Sequence, residues 1–372
     1  MASYDPNKIE KEILAFWSKN KIYEKWKKKL LKGKPYYFLQ GPPFTSGKLH
    51  IGHAWNNALK DIILRYKRMK GFDVWDRAGY DMHGLPVENQ VQKELGLKYK
   101  EDIEKYGVAK FIKACERYSI KQAKKMDQDL LRLGIWMDYE NAYYPIDTEF
   151  IEGEWFLIKK AYEKDRLYKG KKIMHWCSSC ETALAKHELD YKNVVDESIF
   201  LKLKLENKKN EYLIIWTTTP WTLPANQAVA LNPDYEYGFF DSGDSYLLIA
   251  KDIKEKFEES TEVSLKDPAK YFLGTEFENQ KAKHPFIDRD SLFILGDHVT
   301  LEAGSGVVHT APGHGQDDYI VGMKYGLPLL SPVGPNGAYT NEFAKYEGMN
   351  VFKANEPIIE DLQNLGLLLA RK

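Results

Sequence analysis

The sequence predicts an α/β fold in two parts, the first with helices between parallel strands and the second rich in β-strands. In the first part, an apolar run at residues 36–40 precedes an amphipathic segment at 52–70 and another apolar run at 72–75. Strand, loop, helix and strand in that order begin a right-handed crossover in a parallel sheet. In the second part, Leu201, Leu203 and Leu205 alternate with lysines, as a half-buried strand does. We predict that the parts are residues 1–190 and 191–372.

The elements follow in order along the chain. Apolar residues recur at helical spacing between residues 9 and 17, which predicts an opening amphipathic helix whose lysines form a solvated face. Gly41 ends the first predicted strand, and Gly71 is a natural stop for the helix of residues 52–70. Its apolar residues line one face. Further helices are predicted up to about residue 165. The other strands predicted in the β-rich part are 212–216, 246–250, 292–295 and 306–309.

Composition and charge limit the classes of function. The chain has 372 residues, 43% of them hydrophobic, so it can bury the cores of about two or three domains. Its 54 lysines and arginines balance 54 aspartates and glutamates, which excludes an overall positive field as the basis of nucleic-acid binding. The sequence has neither a signal segment at its start nor an apolar run of the ~20 residues that span a bilayer. We therefore expect a cytoplasmic protein without a membrane partner.

The loop after the first strand carries the first candidate site. Residues 41–53 read Gly-Pro-Pro-Phe-Thr-Ser-Gly-Lys-Leu-His-Ile-Gly-His, which places His50, Gly52 and His53 at the start of the helix. Unpaired backbone N–H groups and the helix dipole attract phosphate there, two imidazoles add donors, and Gly52 lets a flat base approach the backbone. Taken alone, two such histidines are more often surface or capping residues.

The same string contains the His-Ile-Gly-His (HIGH) signature of class I aminoacyl-tRNA synthetases. The Gly-Pro-Pro before it is typical of their isoleucyl, valyl and leucyl group, and Gly79-Tyr-Asp-Met-His-Gly-Leu-Pro-Val-Glu88 resembles the isoleucyl version. The resemblance implies that residues 1–190 are the amino-terminal part of a Rossmann-like catalytic domain, ending in a Cys-x-x-Cys segment. It implies that residues 191–372 are an inserted, β-barrel-like editing domain, truncated at its return to the catalytic domain.

The resemblance also implies an activity, substrates and residue roles. The activity is ligation of isoleucine to its tRNA with ATP and Mg²⁺, and this chain would be an incomplete amino-terminal portion of the ligase. His50 and His53 match residues that hold ATP phosphates and stabilise charge in the transition state, while Gly52 lies against adenine. Asp81 matches the acceptor for the amino acid's ammonium group, although alone it would be a turn aspartate. Pro42 matches a residue that lines the isoleucine side-chain pocket.

Two further segments are similar to the signature regions of the editing domain. They are Trp216-Thr-Thr-Thr-Pro-Trp-Thr-Leu-Pro-Ala-Asn226 and residues 304–319, and either alone would more often be structural. The resemblance implies that Asp318 anchors the ammonium group of a mischarged aminoacyl ester, whereas Asp317 is only its neighbour. It places the other pocket positions at Thr217, Thr218, Thr219, Asn226 and His309.

Hydrolytic editing answers a physical need. Isoleucine and valine differ by one methylene. A hydrophobic pocket discriminates against such a difference by only about 1–3 kcal/mol, and isoleucine against valine is the usual example of this limit. A second pocket that admits valine but is too small for isoleucine can hydrolyse the error. The implied reaction is attack of water on the ester between valine and the terminal ribose of tRNA.

Cys177 and Cys180 have the spacing of half a structural zinc site, which requires four ligands. His175 and His187 are nearby candidates for the other two. The resemblance instead implies a second Cys-x-x-Cys beyond the insertion, outside this sequence, and this leaves an incomplete site. Zinc is thus a tentative cofactor. Cys115 lies on an apolar helical face and is most simply a core residue.

Other classes of function remain as alternatives. An editing deacylase acting alone would give residues 36–90 no purpose, and a noncatalytic tRNA-binding or assembly module would not require His53, Asp81 and Asp318 together. We expect a monomer, or a chain whose partner is the missing carboxy-terminal portion as a separate polypeptide.

Overall fold

The computed structural model describes residues 5–206 and 208–372, except for the side chain of His187. The chain divides into two compact units, one ending at Lys169 and the other beginning at Gly170. This division differs from the predicted boundary at residues 190 and 191, because the segment that follows Gly170 packs onto the β-rich unit. The predicted boundary states where an inserted segment begins. A division into compact units does not test that, so the boundary stays a prediction. None of the helices in the described part is long and apolar enough to cross a bilayer.

The first unit is mainly helical, with short strands. Its helices are α1 (Pro6–Lys19), α2 (Ile22–Leu30), α3 (Ile51–Met69), α4 (Leu85–Leu95), α5 (Lys100–Tyr106), α6 (Val108–Arg132) and α7 (Thr148–Glu163). Its strands are β1 (Pro35–Tyr37), β2 (Asp73–Trp75), β3 (Arg77–Gly79) and β4 (Asp138–Tyr143).

The predicted crossover is present. Strands β1 and β2 are parallel, with Tyr36 opposite Val74, and α3 connects them. Strands β3 and β4 form a second parallel pair. The main core of this unit is the apolar cluster of Leu64, Val74, Ala78, Leu130, Ile135 and Met137.

The apolar face of α3 lies on the outside, contrary to the usual expectation for an amphipathic helix. Its apolar residues are 50–70% exposed, namely Trp55, Leu59, Ile62, Ile63 and Tyr66. The buried residues are Asn57, Asp61, Leu64 and Arg68. Polar contacts hold this inner face: Gln40 donates to Asn57, Arg68 forms an ion pair with Asp76, and the Trp136 amide donates to Asp61. These contacts offset part of the cost of burying the polar groups, although Gln40 Oε1, Arg68 Nη1 and Asp76 Oδ1 have no hydrogen-bond partner among the described groups.

The second unit is rich in strands. They are β5 (His175–Cys177), β6 (Thr182–Leu184), β7 (Ile199–Lys204), β8 (Glu211–Thr217), β9 (Ala228–Leu231), β10 (Glu236–Asp241), β11 (Tyr246–Ala250), β12 (Tyr271–Leu273), β13 (Lys281–Lys283), β14 (Asp290–Leu295), β15 (Val307–Thr310) and β16 (Leu368–Arg371). Its helices are α8 (Lys254–Thr261), α9 (Gln316–Lys324) and α10 (Val351–Asn364). Short 3₁₀ helices lie at Lys186–Glu188, Pro220–Ala225, Lys251–Ile253, Gly274–Phe277 and Asn341–Tyr346.

Six strands of this unit form a closed ring in the order β7, β8, β15, β9, β14 and β13. The ring closes where Leu205, just after β7, bridges to Ala282 in β13 and the Glu206 amide donates to the Lys281 carbonyl. The sheet also forks at β8, whose first half pairs with β11 and whose end pairs with β15. Large apolar residues of these strands belong to the main core of the unit, among them Leu213 in β8 and Phe293 in β14.

The β5–β6 hairpin docks on the loop of residues 331–337. The indole N–H of Trp176 donates to the Pro335 carbonyl at 2.7 Å. Gly337 has a φ of 74°, and a Cβ there would lie 2.9 Å from the Ser178 side chain. A left-handed backbone and this close approach both favour glycine at position 337. The contacts explain why residues 170–190 belong to the compact β-rich unit.

Candidate functional site

The start of α3 holds His50 and His53 as a reciprocal cap. The amide of Gly52 donates to His50 Nδ1 at 3.1 Å, and the amide of His50 donates to His53 Nδ1 at 3.2 Å. Because both Nδ1 atoms are acceptors, each neutral imidazole carries its proton on Nε2. Burial and the charges of His50 and Lys60 lower the pKa of His53, which favours its neutral form. The two rings lie 3.9 Å apart between centroids, so two N–H donors are adjacent at the helix start.

The loop before α3 brings the predicted amino-acid-binding residues close to each other. The Asp81 amide donates to the Pro43 carbonyl, and the Thr45 amide donates to the Asp81 carbonyl, both at 2.9 Å. Asp81 therefore lies beside the loop residue that follows Pro42. The backbone fixes this placement, leaving the Asp81 side chain partly exposed.

The same loop is supported from behind by Tyr143. Its hydroxyl donates to the Gln40 carbonyl at 2.8 Å, and its ring covers Gly79, where a Cβ would lie 2.0 Å from a ring carbon. Only glycine leaves room for this ring, so Gly79 is required for the support of the loop.

In the second unit, a cavity of about 550 Å³ opens where β8 and β15 end. Five of its lining residues are predicted pocket positions: Thr217 at the end of β8, Thr218 and Thr219 just after it, His309 in β15, and Asp318 in the first turn of α9. The remaining lining comes from Trp216, Trp221, Thr222, His298, Thr300, Glu302, Ala303, Gly304, Gly306, Val307, Val308, Ala311, His314 and Gly315. We call this space the ester cavity.

His309 is buried and uses both ring nitrogens. The Asn226 amide nitrogen lies 2.7 Å from Nδ1 and the Thr222 hydroxyl lies 2.9 Å from Nε2. An amide nitrogen can only donate, so Nδ1 accepts and Nε2–H donates to Thr222. The Thr222 hydroxyl proton then goes to the Thr219 carbonyl at 2.9 Å. Burial lowers the pKa of His309 to about 3, and the ring is neutral near neutral pH.

Asn226 lies behind this histidine and does not belong to the cavity wall, because its amide is consumed by buried partners. The second amide proton goes to the Ala228 carbonyl at 2.9 Å, and the amide oxygen accepts from the Ser291 hydroxyl. The structure thus places Asn226 as a support of His309. The other predicted pocket residues do line the cavity.

Asp318 is partly buried and also lines the cavity. One carboxylate oxygen accepts from the Ala311 amide at 2.8 Å. Burial raises the pKa of Asp318, although this hydrogen bond and the charge of His298 lower it in part. Gly315 approaches the carboxylate so closely that a Cβ would lie 2.8 Å from its Cγ. Asp317, by contrast, is exposed.

Sequence reasoning missed several cavity residues. Thr222 and His314 lie within the two signature segments and could have been found there. His298 stands alone in the sequence, without a pattern that marks it. The Nε2 atoms of His298 and His314 are buried and lack a hydrogen-bond partner among the described groups. Both ring nitrogens belong to residues that line the cavity and are free to bond a ligand there.

Cys177 and Cys180 flank the turn of the β5–β6 hairpin. The Cys180 amide donates to Cys177 Sγ at 3.3 Å. Burial alone would raise the pKa of Cys177, but hydrogen bonds from Cys180 and Ser179 lower it overall. Among the described residues, however, no group of three or more histidine, cysteine or acidic side chains is arranged to hold a metal. The side chain of His187 is outside the described part. These residues as they stand do not fit a four-coordinate zinc site, and zinc stays a prediction.

Comparisons with known proteins identify the family. The family of class I tRNA synthetases (I, L, M and V) matches residues 12–344, and the chain belongs to it. The isoleucine–tRNA ligases of Pyrococcus abyssi, Methanocaldococcus jannaschii and Archaeoglobus fulgidus are 46%, 44% and 43% identical to it. These matches cover 98%, 97% and 100% of this chain but only 36%, 37% and 37% of the relatives. The predicted fold class and family are confirmed.

A solved structure described as "The crystal structure of GlLeuRS-CP1" is also similar. It covers 47% of this chain and 99% of its own, with 13% sequence identity and a TM-score of 0.38.

Proposed function

We propose that the chain is the amino-terminal portion of an isoleucine–tRNA ligase that activates isoleucine with ATP, transfers it to its tRNA and hydrolyses mischarged valyl-tRNA. The synthetic part of the proposal rests on the relatives, which are isoleucine–tRNA ligases 43–46% identical over nearly the whole chain. The editing part rests on one observation, the ester cavity that a partly buried carboxylate and a run of threonine hydroxyls line together.

In the activation step, the two Nε2–H groups of His50 and His53 donate to ATP phosphates. Both are preorganised by the helix cap, so no reorganisation is needed as negative charge develops when the isoleucine carboxylate attacks the α-phosphorus. The Asp81 carboxylate accepts from the amino acid's ammonium group, and Pro42 borders its side chain. Mg²⁺ enters with ATP and offsets the charge of the phosphates.

In the editing step, the Asp318 carboxylate pairs with the ammonium group of the valyl ester. A charge-assisted hydrogen bond in a partly desolvated cavity fixes the ester relative to the threonine hydroxyls. Water adds to the ester carbonyl, the bond to the ribose oxygen breaks, and that oxygen takes up the proton lost by the water. His309 does not serve as the base, because both of its nitrogens are engaged. It holds the wall of the cavity.

Deacylation by the full 372-residue chain tests the editing proposal. Asp318→Ala removes one charge-assisted interaction of about 1.5–3 kcal/mol, which lowers the rate on valyl-tRNA roughly 10- to 150-fold. Asp317→Ala is the matched control, because Asp317 is adjacent, acidic and exposed. It leaves the rate within about twofold. Isoleucyl-tRNA is spared by the parent chain.

The pH dependence adds a second measurement. Burial raises the pKa of Asp318, so the carboxylate is protonated at a higher pH than a free aspartate. The rate therefore falls as the pH drops through that raised value, and this fall is absent in Asp318→Ala. Equal losses from the two aspartates, or equal cleavage of valyl and isoleucyl esters, would refute the anchor.

A further inference from the structure

A short 3₁₀ helix forms part of the wall of the ester cavity. It spans Pro220–Ala225, between β8 and β9, and both Trp221 and Thr222 line the cavity. Pro220 and Pro224 have no amide proton, so neither can donate a backbone hydrogen bond within the segment. The helix is mostly buried, and its carbonyls therefore need donors from elsewhere in the chain.

Two of these donors come from the turn of residues 284–289, which connects β13 to β14. Arg289 Nη2 donates to the Pro224 carbonyl at 2.8 Å. His284 Nε2 lies 2.8 Å from the Leu223 carbonyl, and because a carbonyl only accepts, this nitrogen carries the proton. We call His284 and Arg289 the turn clamp.

The histidine of the clamp is fixed at both ring nitrogens. His284 Nδ1 accepts from the amides of Phe286 and Ile287 at 3.3 and 3.2 Å. Burial lowers the pKa of His284 to about 3, so the ring is neutral near neutral pH and keeps this tautomer. The donor to the 3₁₀ helix is therefore in place before a substrate binds.

The clamped helix is bonded in turn to the histidine of the cavity wall. The Thr222 hydroxyl lies 2.9 Å from His309 Nε2, and Asn226, which directly follows the helix, lies 2.7 Å from its Nδ1. The Asn226 amide also donates to the Leu223 carbonyl, the group that His284 holds. A shift of the helix would therefore move this wall relative to the carboxylate that anchors the ester.

We propose that the turn clamp sets the size selectivity of the ester cavity. His284 and Arg289 are positioning residues that hold Trp221 and Thr222 too close to the anchored ester to admit an isoleucyl side chain. Neither belongs to the described residues that line the cavity, so both act through the helix. This proposal rests on the proposed editing function and adds to it the groups that exclude the larger substrate. Because the two substrates differ by one methylene, a small displacement of a close-packed wall is enough to admit both.

Deacylation of valyl-tRNA and isoleucyl-tRNA by the full 372-residue chain tests this role. Arg289→Met removes the donor to the Pro224 carbonyl and keeps a long side chain. We expect the ratio of kcat/KM for the valyl ester to that for the isoleucyl ester to fall at least about tenfold, because the cavity then no longer discriminates one methylene. Arg289→Lys keeps a donor and recovers most of the ratio. Lys283→Met is the matched control, since Lys283 lies exposed on the same hairpin and pairs with Asp290.

The ratio separates positioning from a general loss of structure. A variant that is partly unfolded has fewer active sites, so both rates fall by the same factor and their ratio stays constant. His284→Phe is an independent second variant, which deletes the donor to the Leu223 carbonyl and also lowers the ratio. A ratio that stays unchanged in both Arg289→Met and His284→Phe would overturn the clamp while leaving editing intact.

A second measurement keeps the two proposals distinguishable. If the parent chain hydrolyses neither ester, the editing function fails, and hydrogen exchange decides whether the clamp holds the wall. We then expect the amides of Thr222 and Asn226 to exchange at least about tenfold faster in Arg289→Met, because a hydrogen bond from a charged group is lost. Exchange at the parent rate in that variant would overturn the clamp.

Discussion

Removal of the Asn226 side chain tests the buried network that supports the ester cavity. Asn226→Ala deletes two donated hydrogen bonds, to His309 Nδ1 and the Ala228 carbonyl, and one accepted from Ser291. Each net hydrogen bond contributes about 0.5–1.5 kcal/mol, and the buried partners are left unpaired. We expect the local free energy of opening to fall by about 3 kcal/mol. Asn364→Ala, at an exposed helical position, is the control and changes stability by less than about 0.5 kcal/mol.

Hydrogen exchange of the amides in β9 and β15 measures this loss locally. A local measurement is needed because the chain has two compact units, and a chain of two units need not unfold in a single two-state transition. Nitrogen NMR of His309 supplies an independent readout. With a pKa of about 3, the parent ring at pH 5 is neutral, with the proton on Nε2 and a bare Nδ1. A proton on Nδ1, titration near 6.5, or an opening free energy reduced by less than about 1 kcal/mol would refute the network.

Three further predictions concern the helix cap, the loop support and the hairpin. His53→Ala removes one N–H donor to phosphate and weakens binding of ATP with Mg²⁺ by about tenfold in a calorimetric titration, and an unchanged affinity would contradict its role. Gly79→Ala forces a Cβ into the Tyr143 ring and lowers the free energy of unfolding of the first unit by about 2 kcal/mol, which thermal unfolding measures. Gly47→Ala is the control and leaves this free energy unchanged, because no atom lies within 4 Å of the added Cβ. Zinc added to the chain is held weakly and through Cys177, so metal analysis after dialysis finds less than one equivalent, and tight zinc that survives Cys177→Ser would contradict this assignment.

Local sequence patterns predicted several elements closely. The helix predicted at residues 52–70 is α3 at Ile51–Met69, and the strand predicted at 246–250 is β11 with the same bounds. Both follow from periodicity over a few turns or residues, a property of the local chain. The strand β9 went unpredicted, because it is a run of four buried residues that lacks the alternation of a half-buried strand.

The sequence predicted the two segments that supply most of the ester cavity's lining, because the threonine run, His309 and Asp318 belong to recognisable segments. It did not predict which contacts each of these residues makes. Asn226 supports His309 from behind, and the unpatterned His298 joins the wall. Such relations depend on which strands become neighbours, and β8 meets β15 only through long-range pairing.

The sequence by itself determined the family, the strand–loop–helix–strand order at the start of the first unit, and the segments that form both candidate sites, since these are encoded in short motifs and local periodicity. Only the tertiary structure decided that the apolar face of α3 points outward, because paired polar groups such as Arg68 and Asp76 occupy its inner side. It also decided that the strands close into a barrel through Leu205 and Ala282, and that the hairpin with Trp176 forms a cavity next to the ester site. Contacts between residues far apart in the chain determine these features, and no local pattern specifies which partners meet.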